Sequence, residues 1–148
     1  ALAIVEKYGL MKLGSDFAVP VDRHREMMRY YRKRIPEAYE GRYVIFGHVG
    51  DGHYHINLLP ASQNEFDQGY QLFIEFAQKA VELEGTVAAE HGLGKKKKHY
   101  LPIQYTQDQI SSMMAVKKRL DPDWLLGRGT LFEVPPEFAA ASNHPESL

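Results

Sequence analysis

The sequence contains no cysteine, which excludes disulfide bonds, thiolate metal sites and cysteine nucleophiles. It also has little net charge, because 18 basic and 19 acidic side chains leave −1 at pH 7. No overall electrostatic field therefore attracts nucleic acid or an anionic membrane. No apolar run reaches the roughly 18 residues that a membrane-spanning helix needs. We expect a cytoplasmic protein, since a chain without disulfides suits a reducing compartment.

The length of 148 residues is enough for one domain with a single core. The chain opens on Ala1 in "ALAIVEKYGL", which is typical of the end of a helix closed by Gly9, so we expect a piece of a longer protein. Residues 134–148 contain three prolines and little pattern. We therefore predict a domain at residues 1–133 and a loose C-terminal tail at 134–148.

The hydrophobic pattern predicts the order βαββαβ followed by a C-terminal helix. The predicted elements are a strand at 15–20, a helix at 22–38, strands at 43–49 and 53–59, a helix capped by Ser62 and Glu65, a short strand in "GTVAAEHG" and a helix capped by Thr106 and Gln109. This order is that of a ferredoxin-like α+β fold, an antiparallel sheet with helices on one face. The helix after Ser62 is predicted to bury Phe66, Tyr70, Phe73, Ile74, Ala77 and Val81.

The stretch "FGHVGDGHYHINLL", residues 46–59, places histidines where a buried strand would carry aliphatic side chains. Asp51-Gly52 between two alternating runs is a strong signal for a β-hairpin. With these two residues as the whole loop, His48 lies opposite His55. Opposed residues have Cβ atoms about 4.5–5.5 Å apart, so the two imidazoles can converge on one metal ion.

Strand alternation separates the hairpin into a polar face and a core face. The predicted polar face carries His48, His53, His55 and Asn57, and the predicted core face carries Ile45, Val49, Tyr54, Ile56 and Leu58. For any single histidine, an exposed face without function is the simpler interpretation. The opposed pair makes a metal site an equally good alternative.

The stretch "TVAAEHGLGKKKK" supplies a candidate third ligand, Glu90. Glu90 and His91 end a predicted strand just before Gly92 and Gly94, where backbone can approach a ligand closely. Adjacent residues at a strand end point in opposite directions, so Glu90 can face a metal while His91 serves elsewhere. Two histidines and one carboxylate would leave coordination positions open for a substrate. The same residue pair also occurs before glycine turns without any function.

The lysine run at residues 95–98 has two interpretations. A nucleic-acid or localisation patch is the less favoured one, because the net charge is balanced and no aromatic side chains alternate with the lysines. A solvated turn with one lysine directed at an anionic group fits the composition better.

Four motifs in order resemble those of the C-terminal domain of FAD-linked oxidases. This family includes the glycolate oxidase flavoprotein subunit, D-lactate dehydrogenases and D-2-hydroxyglutarate dehydrogenase. "GHVGDGHYHIN" resembles the family's "GHxGDGNxHxN", and "AEHGLGKKK" resembles "EHGxGxxK". "DFAVPVDR" matches "DxAVPxxR", and "LDPDWLLGRGTLF" resembles "FDPxxxLNPGK". The likeness extends from about residue 14 to residue 132.

The resemblance implies a set of site residues. His48, His55 and Glu90 would be the ligands of a divalent metal, Zn²⁺ or Mn²⁺. Asn57 and Lys97 would contact the substrate, and the resemblance makes His91 the acid/base candidate. The substrate would be a small D-2-hydroxy acid that is oxidised by FAD.

The resemblance also implies how the cofactor is held. Family members bind FAD mainly through a separate N-terminal domain, so this chain would be a portion of the substrate domain. We therefore expect the isolated chain to be colourless and inactive towards 2-hydroxy acids. The resemblance also allows a homodimer. A non-catalytic ferredoxin-like module for metal binding or protein interaction is the main alternative, and a hydrolytic metalloenzyme is a weaker one.

The chain departs from the family pattern at three places, one of which is "LGRGT" where the family has "LNPGK". His53 stands where the family usually has asparagine, so it either adds a ligand or replaces a hydrogen-bonding group. His53→Asn is accordingly expected to cost little metal binding. Many members carry a substrate-binding lysine two residues before the aspartate of "DxAVP". Here that position is Gly14, and Lys12 lies two residues earlier.

Overall fold

A computed structural model describes residues 12–139 of the chain. Its strands are β1 (Leu13–Gly14), β2 (Phe17–Ala18), β3 (Arg42–His48) and β4 (His53–Leu59). Its helices are α1 (His24–Ala38), α2 (Gln63–Glu82), α3 (Leu101–Gln104), α4 (Gln107–Leu120) and α5 (Pro136–Ala139). The predicted α+β class is confirmed, whereas the helical piece predicted to end at Gly9 lies outside the described residues.

The described residues form two compact units that divide between Gly92 and Leu93. The first unit contains the four strands with α1 and α2, and the second contains α3, α4 and α5. Within residues 12–139, no helix has both the length and the apolar character needed to cross a membrane. The short helix α5 lies in the stretch that was predicted to be a loose tail.

The sheet of the first unit is antiparallel and has β4 at its centre. β3 pairs with one edge of β4, and β1 and β2 both pair with the other edge. Of the strand predicted at 15–20, only Phe17–Ala18 is present, as β2, and Ser15 and Asp16 separate it from the preceding β1. The predicted last strand is reduced to a single bridge between Thr86 and Ala18. The chain after α2 still returns beside β2, as a ferredoxin-like order requires.

The core of the first unit lies between one face of the sheet and the two long helices. Met27, Tyr31 and Ile35 recur at helical spacing, and all three are buried along α1. Ile56 and Leu58 of β4 are fully buried. Edge-to-face contacts between aromatic rings fill the layer, as in the pairs Phe17–Phe73 at 6.1 Å and Tyr31–Phe76 at 4.7 Å between centroids.

Both predicted helix caps are present, but the predicted buried face of α2 is largely wrong. Ser62 accepts a hydrogen bond from the backbone N–H of Glu65 at 3.1 Å, and Thr106 and Gln109 form a complete capping box. The close approach of α2 to the sheet occurs at Gly69, where a Cβ would lie 2.9 Å from Leu58 Cδ1. Of the predicted face only Phe73 and Ala77 are buried, because the helix is rotated so that Gly69 and Phe76 face the sheet. The buried residues are Gly69, Leu72, Phe73, Phe76, Ala77 and Ala80.

The hairpin between β3 and β4 has a longer turn than predicted. A 3₁₀ turn over Val49–Asp51 precedes Gly52 in the left-handed conformation, with φ 63°. The ladder therefore pairs His48 with His53, and Phe46 lies opposite His55. The predicted opposition of His48 and His55 is wrong by two residues, and Val49 is exposed rather than buried. A shift of two preserves the faces, because side chains alternate with a period of two.

Candidate functional site

The candidate site lies on the face of the sheet opposite the core. His53, His55 and Asn57 alternate along β4 with the buried core residues of the same strand. His48 ends β3 on the same face, opposite His53. After the Thr86 bridge the chain runs beside β2, so Glu90 and His91 reach this face from the far edge. The polar face predicted from alternation is confirmed.

The carboxylate of Glu90 is the centre of the site. Four imidazole nitrogens lie within 3.6 Å of its two oxygens. Oε1 is 3.4 Å from His48 Nε2 and 3.3 Å from His53 Nδ1, and Oε2 is 3.6 Å from both His55 Nε2 and His91 Nε2. The structure thus brings together all four predicted metal or acid/base residues, His48, His55, Glu90 and His91.

Asp16 holds the segment that carries Glu90 and His91. Its carboxylate is fully buried and accepts the backbone N–H of His91 at 2.8 Å. The N–H of Glu90 lies 3.3 Å and 3.4 Å from the two carboxylate oxygens. The backbone carbonyl of Asp16 accepts the N–H of Ala89 at 2.9 Å. These bonds fix the Glu90–His91 turn against the interruption between β1 and β2.

A neighbouring strand orients the ring of His55. Its Nδ1 lies 3.2 Å from the backbone carbonyl oxygen of Ser15. Because a carbonyl only accepts, this contact assigns the proton to Nδ1 and leaves the lone pair of Nε2 facing Glu90. The Ser15 hydroxyl in turn accepts the N–H of Ile56 at 2.8 Å. Such outer contacts are the usual support of a metal-binding histidine.

The donor groups of the site suit a divalent metal ion. Imidazole nitrogen and carboxylate oxygen are ligands that Zn²⁺ and Mn²⁺ both accept. One ligand atom from each of four side chains lies within 4.8 Å of the other three, and these side chains are Asp16, His55, Glu90 and His91. His48 is outside this closest group although its Nε2 touches Glu90. The spacing for a cation is thus found in the closest group, whereas His48 joins the site through its contact with Glu90 alone.

Asn57 lies further along the same face, between Gly14 of β1 and Val44 of β3. A Cβ on residue 14 would be 3.2 Å from Asn57 Oδ1 and 3.6 Å from Lys12 Nζ. The absent side chain at Gly14 thus leaves a space bordered by an amide and an ammonium group. Lys97 belongs to the second unit, where it precedes the turn Lys98–Tyr100.

Sequence reasoning missed the roles of Asp16 and Ser15. Both residues fall where one continuous strand was predicted, and both are buried. A charged residue inside an apolar strand was the available signal, because a buried carboxylate requires hydrogen-bond donors. The donors are backbone N–H groups distant in sequence, which no local pattern identifies.

The fold and site therefore define an α+β domain with a histidine-rich carboxylate centre on the open face of its sheet. Residues 1–131 match the family described as FAD linked oxidases, C-terminal domain. The chain belongs to this family, and the resemblance found in the motifs is confirmed.

Three relatives illustrate the match. The glycolate oxidase subunit GlcD of Bacillus subtilis is 36% identical over 100 residues, covering 66% of this chain and 21% of the relative. A D-2-hydroxyglutarate dehydrogenase of Xanthomonas citri pv. viticola is 41% identical over 97 residues, covering 61% and 20%. The mitochondrial D-lactate dehydrogenase [cytochrome] 1 of Saccharomyces cerevisiae is 28% identical over 122 residues, covering 82% and 21%. The chain spans about a fifth of the length of these relatives.

Proposed function

We propose that this chain is a substrate-domain portion of an FAD-dependent dehydrogenase or oxidase of D-2-hydroxy acids, such as glycolate or D-lactate. Family membership supports the class of reaction, since the relatives are named for hydroxy-acid oxidation. The observation that carries the proposal is the Glu90 carboxylate with four imidazoles within 3.6 Å. FAD would be held mainly by a portion of the protein outside these 148 residues, and the compartment we propose is the cytoplasm.

His48, His55 and Glu90 would hold a divalent ion, Zn²⁺ or Mn²⁺. The fit rests on the donor atoms, which are two Nε2 atoms facing one carboxylate. It also rests on His55, whose Nδ1 is occupied by the Ser15 carbonyl so that Nε2 is available. Once bound, the ion would act as a Lewis acid on the hydroxyl and carboxylate oxygens of the substrate.

The remaining residues bind the substrate and move its proton. His91 takes the proton from the 2-hydroxyl group, and two electrons leave C2 with its hydrogen as hydride, so the CH–OH group becomes a carbonyl. FAD supplies the hydride acceptor when it is bound. Asn57 offers an amide to a substrate oxygen. Lys12, which borders the same space, supplies a cation for the substrate carboxylate, while the role of Lys97 rests on its motif alone.

A calorimetric zinc titration of the metal-free chain tests the metal site. The wild type is expected to bind one ion. Glu90→Ala and His55→Ala are each expected to lower zinc affinity by roughly 100-fold, because even the loss of a residue that only supports a ligand lowers metal affinity by up to about 100-fold. Glu40→Ala and His24→Ala are the matched controls, because they remove a carboxylate and an imidazole from outside the site. Equal binding by all variants would show that the ion sits elsewhere.

The rival function is a ferredoxin-like module that binds metal or another protein without catalysis. The rival is a second candidate because the chain spans only about a fifth of the length of the relatives that are named for hydroxy-acid oxidation. A titration of D-lactate and glycolate into the zinc-loaded chain separates the two. If the chain binds either acid and Asn57→Ala weakens that binding, the substrate-domain function is supported. If the chain binds neither acid, the rival function is favoured.

The purified chain is expected to lack a flavin absorbance band. A stoichiometric band would contradict the proposal that FAD is held mainly outside these 148 residues.

A further inference from the structure

We propose that His53 is a positioning residue, which together with Asp16 holds the Glu90 carboxylate among the other imidazoles of the site. This role rests on the proposed function only in so far as Glu90 is the metal ligand. The positioning itself is a property of the chain without metal. No motif assigns it, because His53 occupies the position where the motif that this stretch resembles, "GHxGDGNxHxN", has asparagine.

The position of His53 is unlike that of its neighbours. Its side chain is only 4% exposed, whereas that of His48, directly opposite on β3, is 59% exposed. Both ring nitrogens of His53 face carboxylates. Nδ1 lies 3.3 Å from Glu90 Oε1, and Nε2 lies 3.3 Å from Asp16 Oδ1. The imidazole therefore bridges the buried acid and the central one.

The contact on the Asp16 side is close but angled. Although the distance to Asp16 Oδ1 is short, Nε2 of His53 has no well-formed hydrogen bond and is completely buried. A buried polar group without a proper partner opposes folding, so packing alone does not explain a histidine here. The ring does lie between the carboxylates of Asp16 and Glu90, so it restrains Glu90 from the buried side of the site.

His53 is not placed as a direct metal ligand. Its side chain is 4% exposed and both of its ring nitrogens already face carboxylates, so neither nitrogen is directed to the exposed side of the site, where His48 and His91 are 59% and 67% exposed. Its Nδ1 approaches Oε1 of Glu90, whereas the Nε2 atoms of His55 and His91 approach Oε2. His48 Nε2 also approaches Oε1 from the exposed end of β3, so this oxygen lies between the buried His53 and the exposed His48.

Asp16 completes the support through the backbone. The same carboxylate that faces His53 also accepts the N–H of His91 at 2.8 Å. One buried side chain therefore fixes both the turn that carries Glu90 and the imidazole that touches the Glu90 side chain. The Asp16 carboxylate thus positions both the main chain and the side chain of Glu90.

The first test is a double-mutant cycle on the metal-free chain. The urea midpoint is measured for the wild type, His53→Ala, Glu90→Gln and the double variant. If His53 acts on Glu90, the midpoint shift caused by His53→Ala differs between the two backgrounds. An identical shift in both backgrounds would overturn the proposal. His24→Ala with Glu90→Gln is the control pair, and its shifts are expected to add.

The second test asks whether this support matters for ligand binding, with Zn²⁺ as the probe. His53→Ala and Asp16→Asn are each expected to weaken zinc by about 10–100-fold, while His53→Asn, which retains a hydrogen-bond donor, stays within about threefold of the wild type. Asp22→Asn, at an exposed carboxylate, is the control. Unchanged zinc affinity in His53→Ala would overturn the positioning role. If the wild type itself binds no zinc, the proposed metal fails, and the unfolding cycle alone decides the role of His53.

Discussion

β3 and β4 are seven-residue strands of one hairpin, yet they lie in opposite environments. β4 is bonded along both edges, and its residues alternate between buried and half-buried from Tyr54 onward, while His53 is buried as well. β3 has one partner strand within residues 12–139, and all its residues except Ile45 are exposed. The central strand therefore supplies the fixed half of the site, with His53 and His55. The edge strand supplies the accessible half, with His48.

The two strands also differ in what an apolar side chain contributes. Ile56 of β4 is fully buried against the helices, whereas Val44 and Phe46 of β3 are about half exposed on the side of the sheet that carries the site. Apolar side chains of similar hydrophobicity therefore contribute unequally to the stability of the fold. Matched substitutions on β3 and β4 should therefore have different effects.

The largest expected effect is on stability. Ile56→Ala should lower the free energy of unfolding by about 2–5 kcal/mol, because it leaves a cavity under the sheet. Val44→Ala on β3 should change it by no more than about 0.5 kcal/mol. Urea unfolding followed by circular dichroism measures both. Similar losses in the two variants would show that β3 is as deeply packed as β4.

The next effect concerns the two halves of the site. His55→Ala should lower zinc affinity by roughly 100-fold, and His48→Ala should lower it by roughly tenfold. These values are the two ends of the range of affinity loss seen when the support of a metal ligand is removed. The physical reason is orientation, since the Ser15 carbonyl fixes His55 whereas His48 is 59% exposed at the end of β3. Titration calorimetry gives both affinities. A larger loss for His48→Ala would reverse this order and assign the main ligand to the edge strand.

A smaller effect is expected where β1 and β2 are interrupted. Ser15→Ala should cost about 1–3 kcal/mol of unfolding free energy, because it leaves the buried N–H of Ile56 without the hydroxyl acceptor at 2.8 Å. Ser112→Ala is the matched control, since its hydroxyl bonds to Asp108 on an exposed helix surface. Equal unfolding midpoints for the two variants would mean that the interruption adds no stability.

The smallest effect lies away from the site, between α1 and α2. The hydrogen bond from Arg34 lowers the pKa of Glu75 below its usual 4.5. The native state then binds fewer protons than the unfolded chain, so the stabilisation is full above about pH 4.5 and is lost as pH falls through the lowered pKa. Urea midpoints of wild type and Glu75→Gln should differ at neutral pH and converge in acid. A pH-independent difference would contradict this linkage.

The hairpin shows which part of the fold the sequence could predict. Alternation assigned His53, His55 and Asn57 to one face correctly, because the period of two depends only on strand geometry. The exact pairing of His48 was wrong, because Asp51-Gly52 is not the whole loop. Gly52 lies so close to Val19, the residue after β2, that a Cβ would be 2.2 Å from the Val19 carbonyl oxygen. A partner distant in sequence thus determines the turn.

The site shows a similar division between local and distant information. Glu90 was proposed from its position before a glycine turn, and the structure does bring it to the histidines. The anchoring by Asp16 could not be predicted, since it joins residues 74 and 75 positions apart in sequence. The inward face of α2 was missed for a related reason. Gly69 approaches the side chains of Leu13 and Leu58, and these sheet contacts, distant in sequence, decide which face of the helix is buried.

The turn at residues 49–52 also limits how related chains can differ in length. Gly52 is fixed to the residue after β2 through its carbonyl, which accepts the N–H of Val19 at 3.2 Å. Losing or gaining one residue between His48 and Gly52 would shift β3 by one position and turn His48 to the core side. A change of two residues would keep it facing Glu90. Insertions and deletions that preserve the site at this turn should therefore occur in even numbers.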